Sequence, residues 1–179
     1  MVTILLGSGF EEMEAVIPYD MLKRAGIPVQ FAGIGGELIP GSRGITVKAD
    51  IRVEDVCFEQ MDMVVLPGGL GGVDSILGCR RALRLVKSAW EAGKYVAAIC
   101  AAPTILAKLG ISDGKKATVY PGMEGKMHKA QMVENAKAVV DGKLITATAA
   151  GAAFEFAKAL ITELKDAQTA EKVAEGIVL

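Results

Sequence analysis

Short apolar runs alternate with longer amphipathic stretches along this chain. Val64-Val65-Leu66 and Tyr95-Val96-Ala97-Ala98-Ile99 are apolar without a polar alternation, the pattern of parallel strands covered on both faces. Strands are predicted at Val2–Leu6, Val29–Ala32, Ile45–Val47, Met63–Leu66, Tyr95–Ile99, Ala117–Tyr120 and Leu144–Ala147. Helices are predicted at Glu11–Ala25, closed by Gly26, and at Arg80–Ala92, Ala101–Leu109, Ala153–Leu164 and Ala167–Ile177. Strand, helix and strand over Val2–Ala32 make a first βαβ unit, and the order that follows argues for an α/β, doubly wound, mostly parallel sheet with helices on both faces. Gly35 to Gly44, with Pro40 and Ser42, reads as a turn excursion at the sheet edge. The two C-terminal helical segments fit either a cover for one sheet face or an oligomer interface.

Composition narrows the class. With 179 residues, 51% of them hydrophobic, residues 1–179 are expected to form one domain around a sizeable core. Twenty basic and 21 acidic residues give a formal net charge of -1 without long runs of one sign, which speaks against nucleic acid and anionic lipid as partners. The longest uncharged stretch, Tyr95 to Ala107, is well short of the ~18 apolar residues a membrane span needs. Met1–Leu6 has no basic residue ahead of its apolar run, so a secretory signal is not expected. Cys57, Cys79 and Cys100 are odd in number and widely spaced, which suits reduced thiols in a cytoplasmic protein. His128 is the single histidine and no metal-ligand spacing occurs, so no metal site is expected.

In an open α/β sheet the ligand crevice lies beyond the carboxyl ends of the strands. Three such ends are unusual: Gly7 to Glu14, Pro67 to Gly72, and Cys100 to Pro103. Ala98-Ile99-Cys100-Ala101-Ala102 has the steric logic of a nucleophile elbow, with small residues two before and two after the nucleophile. Pro103 suits the first turn of the helix that follows, so Cys100 is expected at a helix N-terminus with a lowered pKa. Cys57 and Cys79 lack that context and read as packing residues. Glu11 and Glu12 are accounted for by the dipole of the first helix. Glu14 shares its inward face with Ile17 and Met21, and a carboxyl there needs a partner or a raised pKa. The amides of Gly68 and Gly69 could form an oxyanion site, although a plain flexible turn explains Gly68 to Gly72 nearly as well. A dinucleotide fold is rejected, because Glu12 stands where the third glycine belongs and Gln30-Phe31-Ala32 carries no ribose-binding acid.

Gly9 to Glu14 followed by Val16-Ile17-Pro18, then Val64 to Gly69, Ala97 to Pro103 and Phe154-Glu155-Phe156-Ala157 resemble, in that order, the ThiJ/PfpI superfamily. The similarity is closest to the branch named for the Parkinson-disease protein DJ-one. It implies a flavodoxin-like sheet, a homodimer, Cys100 as the reactive cysteine, Glu14 as the acid at its sulfur, and Gly69 as a glycine whose amide faces the site. It also implies an enzyme that needs no cofactor and acts on reactive dicarbonyls or their adducts, of glyoxalase or deglycase type. The alternatives are a redox-sensing thiol protein or chaperone active in oxidative stress and, further off, a cysteine peptidase or amidase. Ala101 stands where peptidase-like branches carry a histidine, which would leave His128, in a charged stretch, as the only base. Thr146 to Gly151 departs from the family's Gly-Pro-Gly run, with Thr148 and two alanines at the expected pocket rim.

Overall fold

A computed structural model describes all of residues 1–179. In chain order the strands are β1 (Val2–Leu6), β2 (Val29–Gly33), β3 (Leu38–Pro40), β4 (Thr46–Lys48), β5 (Ile51–Arg52), β6 (Met63–Leu66), β7 (Tyr95–Ile99), β8 (Lys116–Ala117), β9 (Gln131–Met132), β10 (Ala138–Asp141) and β11 (Leu144–Ala147). The helices are α1 (Glu12–Arg24), α2 (Leu70–Gly78), α3 (Arg80–Glu91), α4 (Pro103–Lys108), α5 (Ala153–Leu164) and α6 (Ala167–Gly176). Seven strands form the central sheet in the order β10-β11-β7-β6-β1-β2-β5, parallel except for β10 at one edge.

Both faces of that sheet are covered, which explains its unbroken apolar runs. Val2, Ile4, Leu6, Met63, Val65, Ala97 and Ile99 join a core completed by α1, α5 and α6. Their neighbours Leu5, Val64, Leu66, Val96 and Ala98 point the other way, into a core completed by α2, α3 and α4. The two C-terminal helices therefore cover a sheet face, with Phe156, Leu160 and Ile161 of α5 fully buried.

Several elements differ from the sequence reading, the short strands β3, β5 and β9 among them. Thr46–Lys48 pairs with Leu38–Pro40 in a separate hairpin, and its exposed Thr46 and Lys48 show why it stays out of the sheet. Of the expected strand Ala117–Tyr120 only Ala117 lies in a ladder, the two-residue Lys116–Ala117 pairing with β9, because the amides of Thr118 and Tyr120 bond to the Thr146 hydroxyl and the Cys100 carbonyl instead. The antiparallel β10 is too short to show a period, with only Val139 of its four residues buried. Helix α2 was missed because its first turn, Leu70-Gly71-Gly72, reads as a loop by glycine content.

Candidate active site

The chain leaves β1 toward β2 on one side of the sheet and crosses to β6 on the other, so the carboxyl ends of β1 and β6 border the switch point of the topology. The end of β7 lies next to that of β6. Glu14, Gly68, Gly69 and Cys100 are thereby brought to one place from three separate strand ends.

Cys100 sits in the left-handed region, with φ of 65°, on the turn between β7 and α4. For a residue with a side chain that conformation costs about 1–2 kcal/mol. Two backbone bonds hold it there: the Cys100 amide donates to the Ala147 carbonyl at 2.9 Å, and the Cys100 carbonyl accepts from the Tyr120 amide at 2.8 Å. Ala98 and Ala102 have no exposed surface, so no larger side chain fits on either flank. This is the strained elbow that the small residues implied.

Glu14 lies in the first turn of α1 with no exposed surface, on the buried stripe with Pro18 and Met21. Its Oε2 accepts from the Gly68 amide at 2.7 Å. Its Oε1 is buried without a hydrogen-bond partner of ordinary geometry, and the neighbouring polar group is the Cys100 thiol. Gly68 separates the two residues: a Cβ there would come within 2.6 Å of Glu14 Oε2 and 2.8 Å of Cys100 Cβ. Its amide is thus committed to Glu14 rather than open to a substrate oxyanion, which corrects one half of the expected amide pair. The Gly69 and Ala101 amides are the ones that face the sulfur.

Burial pushes Glu14 up to about 7, the charge of Glu11 adds to the rise, and the contacts with Cys100 and the Gly68 amide oppose it. Burial likewise pushes Cys100 up to about 12, reinforced by the charge of Glu14 and only partly countered by the Ala101 and Gly69 amides. The thiol lowered by a helix terminus, as the sequence suggested, is not what these surroundings give while Glu14 is ionised. The reason is that burial opposes the thiolate first and the charge of Glu14 second, while α4 begins only at Pro103. Two anions in so small a buried space repel, so above about pH 7 the pair carries one charge and one proton.

The glycine loop is no flexible turn. Gly69, at φ of 81°, has no room for a Cβ against Glu11 N at 2.6 Å, and a Cβ on Gly72 would meet Phe10 Cα at 2.8 Å. These contacts, with the Glu11 amide donating to the Gly68 carbonyl at 3.0 Å, press the loop after β6 against the one after β1. Glu12 also does more than complement a dipole. It is 6% exposed and accepts from the Arg43 amide at 2.7 Å, the Ile45 amide at 3.3 Å and the Ser42 hydroxyl at 3.2 Å. Burial works to raise its pKa, and those donors outweigh it to leave the carboxyl lowered.

A cavity of about 660 Å³ opens over Cys100, Glu14, Gly69 and Ala101. Ser42, Arg43, Leu70, Tyr120 and Met123 complete it and were not singled out from the sequence. Ser42 and Arg43 could have been found by treating the glycine-rich stretch after β2 as another strand-end loop; Tyr120 and Met123 had no such signal. Ala149, Ala150 and Gly151 form part of the rim, while the Thr148 amide bonds to Lys137 outside it. His128 lines a different cavity and is exposed, so no Cys-His pair exists. Cys57 is exposed beside Glu59 and Cys79 caps the start of α3, both away from this site.

A doubly wound sheet with a strained elbow cysteine and a buried carboxyl at its switch edge defines an α/β protein built around a nucleophile elbow. Within that class the chain belongs to the DJ-1/PfpI family, whose profile matches residues 1–163. It is 40% identical over 178 residues to protein dj-1beta of Drosophila melanogaster, covering 98% of this chain and 95% of that one. A deglycase of Pyrococcus abyssi is 33% identical over 165 residues, covering 92% of this chain and 99% of its own. The crystal structure of Drosophila DJ-1beta superposes with a TM-score of 0.95 at 39% identity, over 99% of this chain and 97% of that one.

Proposed function

We propose that this protein is a cysteine-dependent enzyme, without a cofactor, that acts on reactive dicarbonyls such as methylglyoxal or on their adducts. The observation that carries this reading is the buried Glu14 with one unpartnered oxygen beside the elbow cysteine, at the floor of an open cavity. The similarity to a protein named a deglycase supports it.

In the proposed reaction the Cys100 thiolate attacks the aldehyde carbon while the proton held by Glu14 passes to the forming oxygen, giving a hemithioacetal and an ionised Glu14. Glu14 then carries a proton from the former aldehyde carbon to the neighbouring ketone carbon, which leaves a thioester of lactate on Cys100. Water cleaves the thioester, releasing lactate and restoring the thiol. The Gly69 and Ala101 amides steady the negative oxygen of each step. The decisive experiment is lactate formation from methylglyoxal without glutathione, compared with a Cys100→Ser variant. Turnover only in the cysteine protein is expected; equal rates would end this reading and favour the redox-sensing one, in which Cys100 oxidises to a sulfinate held by protonated Glu14.

We further propose a cytoplasmic homodimer. Met13 (46% exposed) and Val16 (43%) on α1, with Ile45 (59%) on the turn that Glu12 fastens to that helix, leave an apolar surface suited to a second copy.

A further inference from the structure

A second cavity of about 360 Å³ adjoins the Cys100 cavity, and the two share Leu70, Ala101 and Met123. Leu70 is 66% exposed, so the boundary between them is a ridge topped by a solvent-facing side chain rather than a packed wall. The chemistry beyond the ridge is different. Val73 and Leu77 of α2 give an apolar side, and Lys108, Lys126 and His128 supply nitrogen groups opposite one acid, Asp74.

Neither Lys108 nor Lys126 is in an ion pair, and Asp74, the one acid lining the cavity, pairs with no cation. The nearby Glu124 does not neutralise them, because its carboxylate accepts from the Gly122 amide and does not line the cavity. In a chain of net charge -1, two unneutralised ammonium groups on one concave wall mark a local positive field.

We propose that this cavity is an anion subsite of the Cys100 site, holding the phosphate or carboxylate of a substrate whose carbonyl end reaches Cys100 across the Leu70 and Met123 ridge. This rests on the reading of Cys100 as a carbonyl-attacking nucleophile. The substrate class is then a carbonyl compound or adduct with an aliphatic stem ending in an anion: the stem lies on Val73 and Leu77 and the anion meets Lys108 and Lys126.

The test uses the wild-type protein and a Lys108→Gln/Lys126→Gln variant, with hexyl phosphate and hexanoate as probes. Binding is followed by amide chemical shifts and by calorimetry at low salt. Probe binding to wild type should move the Leu70, Ala101 and Gly125 amides, weaken with added salt, and fall about tenfold in the variant, with a Lys108→Arg/Lys126→Arg protein retaining it. The tighter of the two probes names the anion. Methylglyoxal is neutral and too short to reach the lysines, so its turnover should stay within about twofold in the Gln variant. Equal probe affinity in all three proteins, or shifts confined to other regions, would overturn the subsite. Probe binding that depends on the lysines while no protein turns over methylglyoxal would instead overturn the carbonyl chemistry and leave the anion site standing.

Discussion

At the scale of single residues the chemistry turns on one proton held between Glu14 and Cys100. Two amides face the sulfur and only one faces the carboxyl, whose other oxygen lacks a donor. We expect the single charge to reside on sulfur, with Oε1 carrying the proton and donating it to the thiolate. Thiolate absorbance in wild type, with Cys57 and Cys79 replaced, should then appear near or below neutral pH. Glu14→Ala should move it upward, because burial alone opposes ionisation once the donor is gone. A downward shift would place the charge on the carboxylate instead. Stability gives an independent reading. Glu14 is raised from an ordinary 4.5 to about 7, so folding favours its protonated form. The stability contributed by the first proton of the pair is fully present below 4.5 and is lost as the pH rises through about 7. The stability of wild type relative to Glu14→Gln should fall across this window in denaturant titrations; a constant difference would mean the carboxyl is not perturbed.

At the scale of elements, the glycines are where close approach replaces side-chain packing. A Gly68→Ala methyl would intrude between Glu14 and Cys100, and we expect it to cost about 1–3 kcal/mol and to remove most turnover. Gly78, at the end of α2, has open space around a built Cβ. Gly78→Ala should therefore stabilise the protein, by about 0.5–1 kcal/mol, without touching activity. Thermal melts of the two variants shifting in the same direction would contradict this account. The sequence reading left Gly68 to Gly72 open between an anion nest and a loose turn, because glycine content alone does not say what lies against the missing side chains.

For the molecule as a whole, two cores on opposite sides of one sheet leave the strand ends as the place where polar groups from distant segments can meet. No helix is long and apolar enough to cross a membrane. The exposed apolar positions on α1 and the adjoining turn set the expectation for assembly. Met13→Glu/Val16→Glu should shift the proposed dimer to monomer by sedimentation equilibrium, since charges there would be desolvated against a second copy. A dimer that survives both charges would place the interface elsewhere.

Pattern and spacing were sufficient for β1, β2, β6, β7 and β11, for the face-covering helices other than α2, for the elbow at Cys100 and for the inward position of Glu14, because each depends on neighbours within a few residues. Tertiary structure decided what depends on neighbours far along the chain. The Gly68 amide, 54 positions from Glu14, is fixed to it only when the ends of β1 and β6 come together. Arg43 and Ser42 reach the cavity because the buried Glu12 holds their turn, a role invisible in a residue that also suits a helix N-terminus. The proton balance between Cys100 and Glu14 belongs to this second kind: sequence places a thiol on an elbow, and only the folded, dry surroundings determine what ionising it costs.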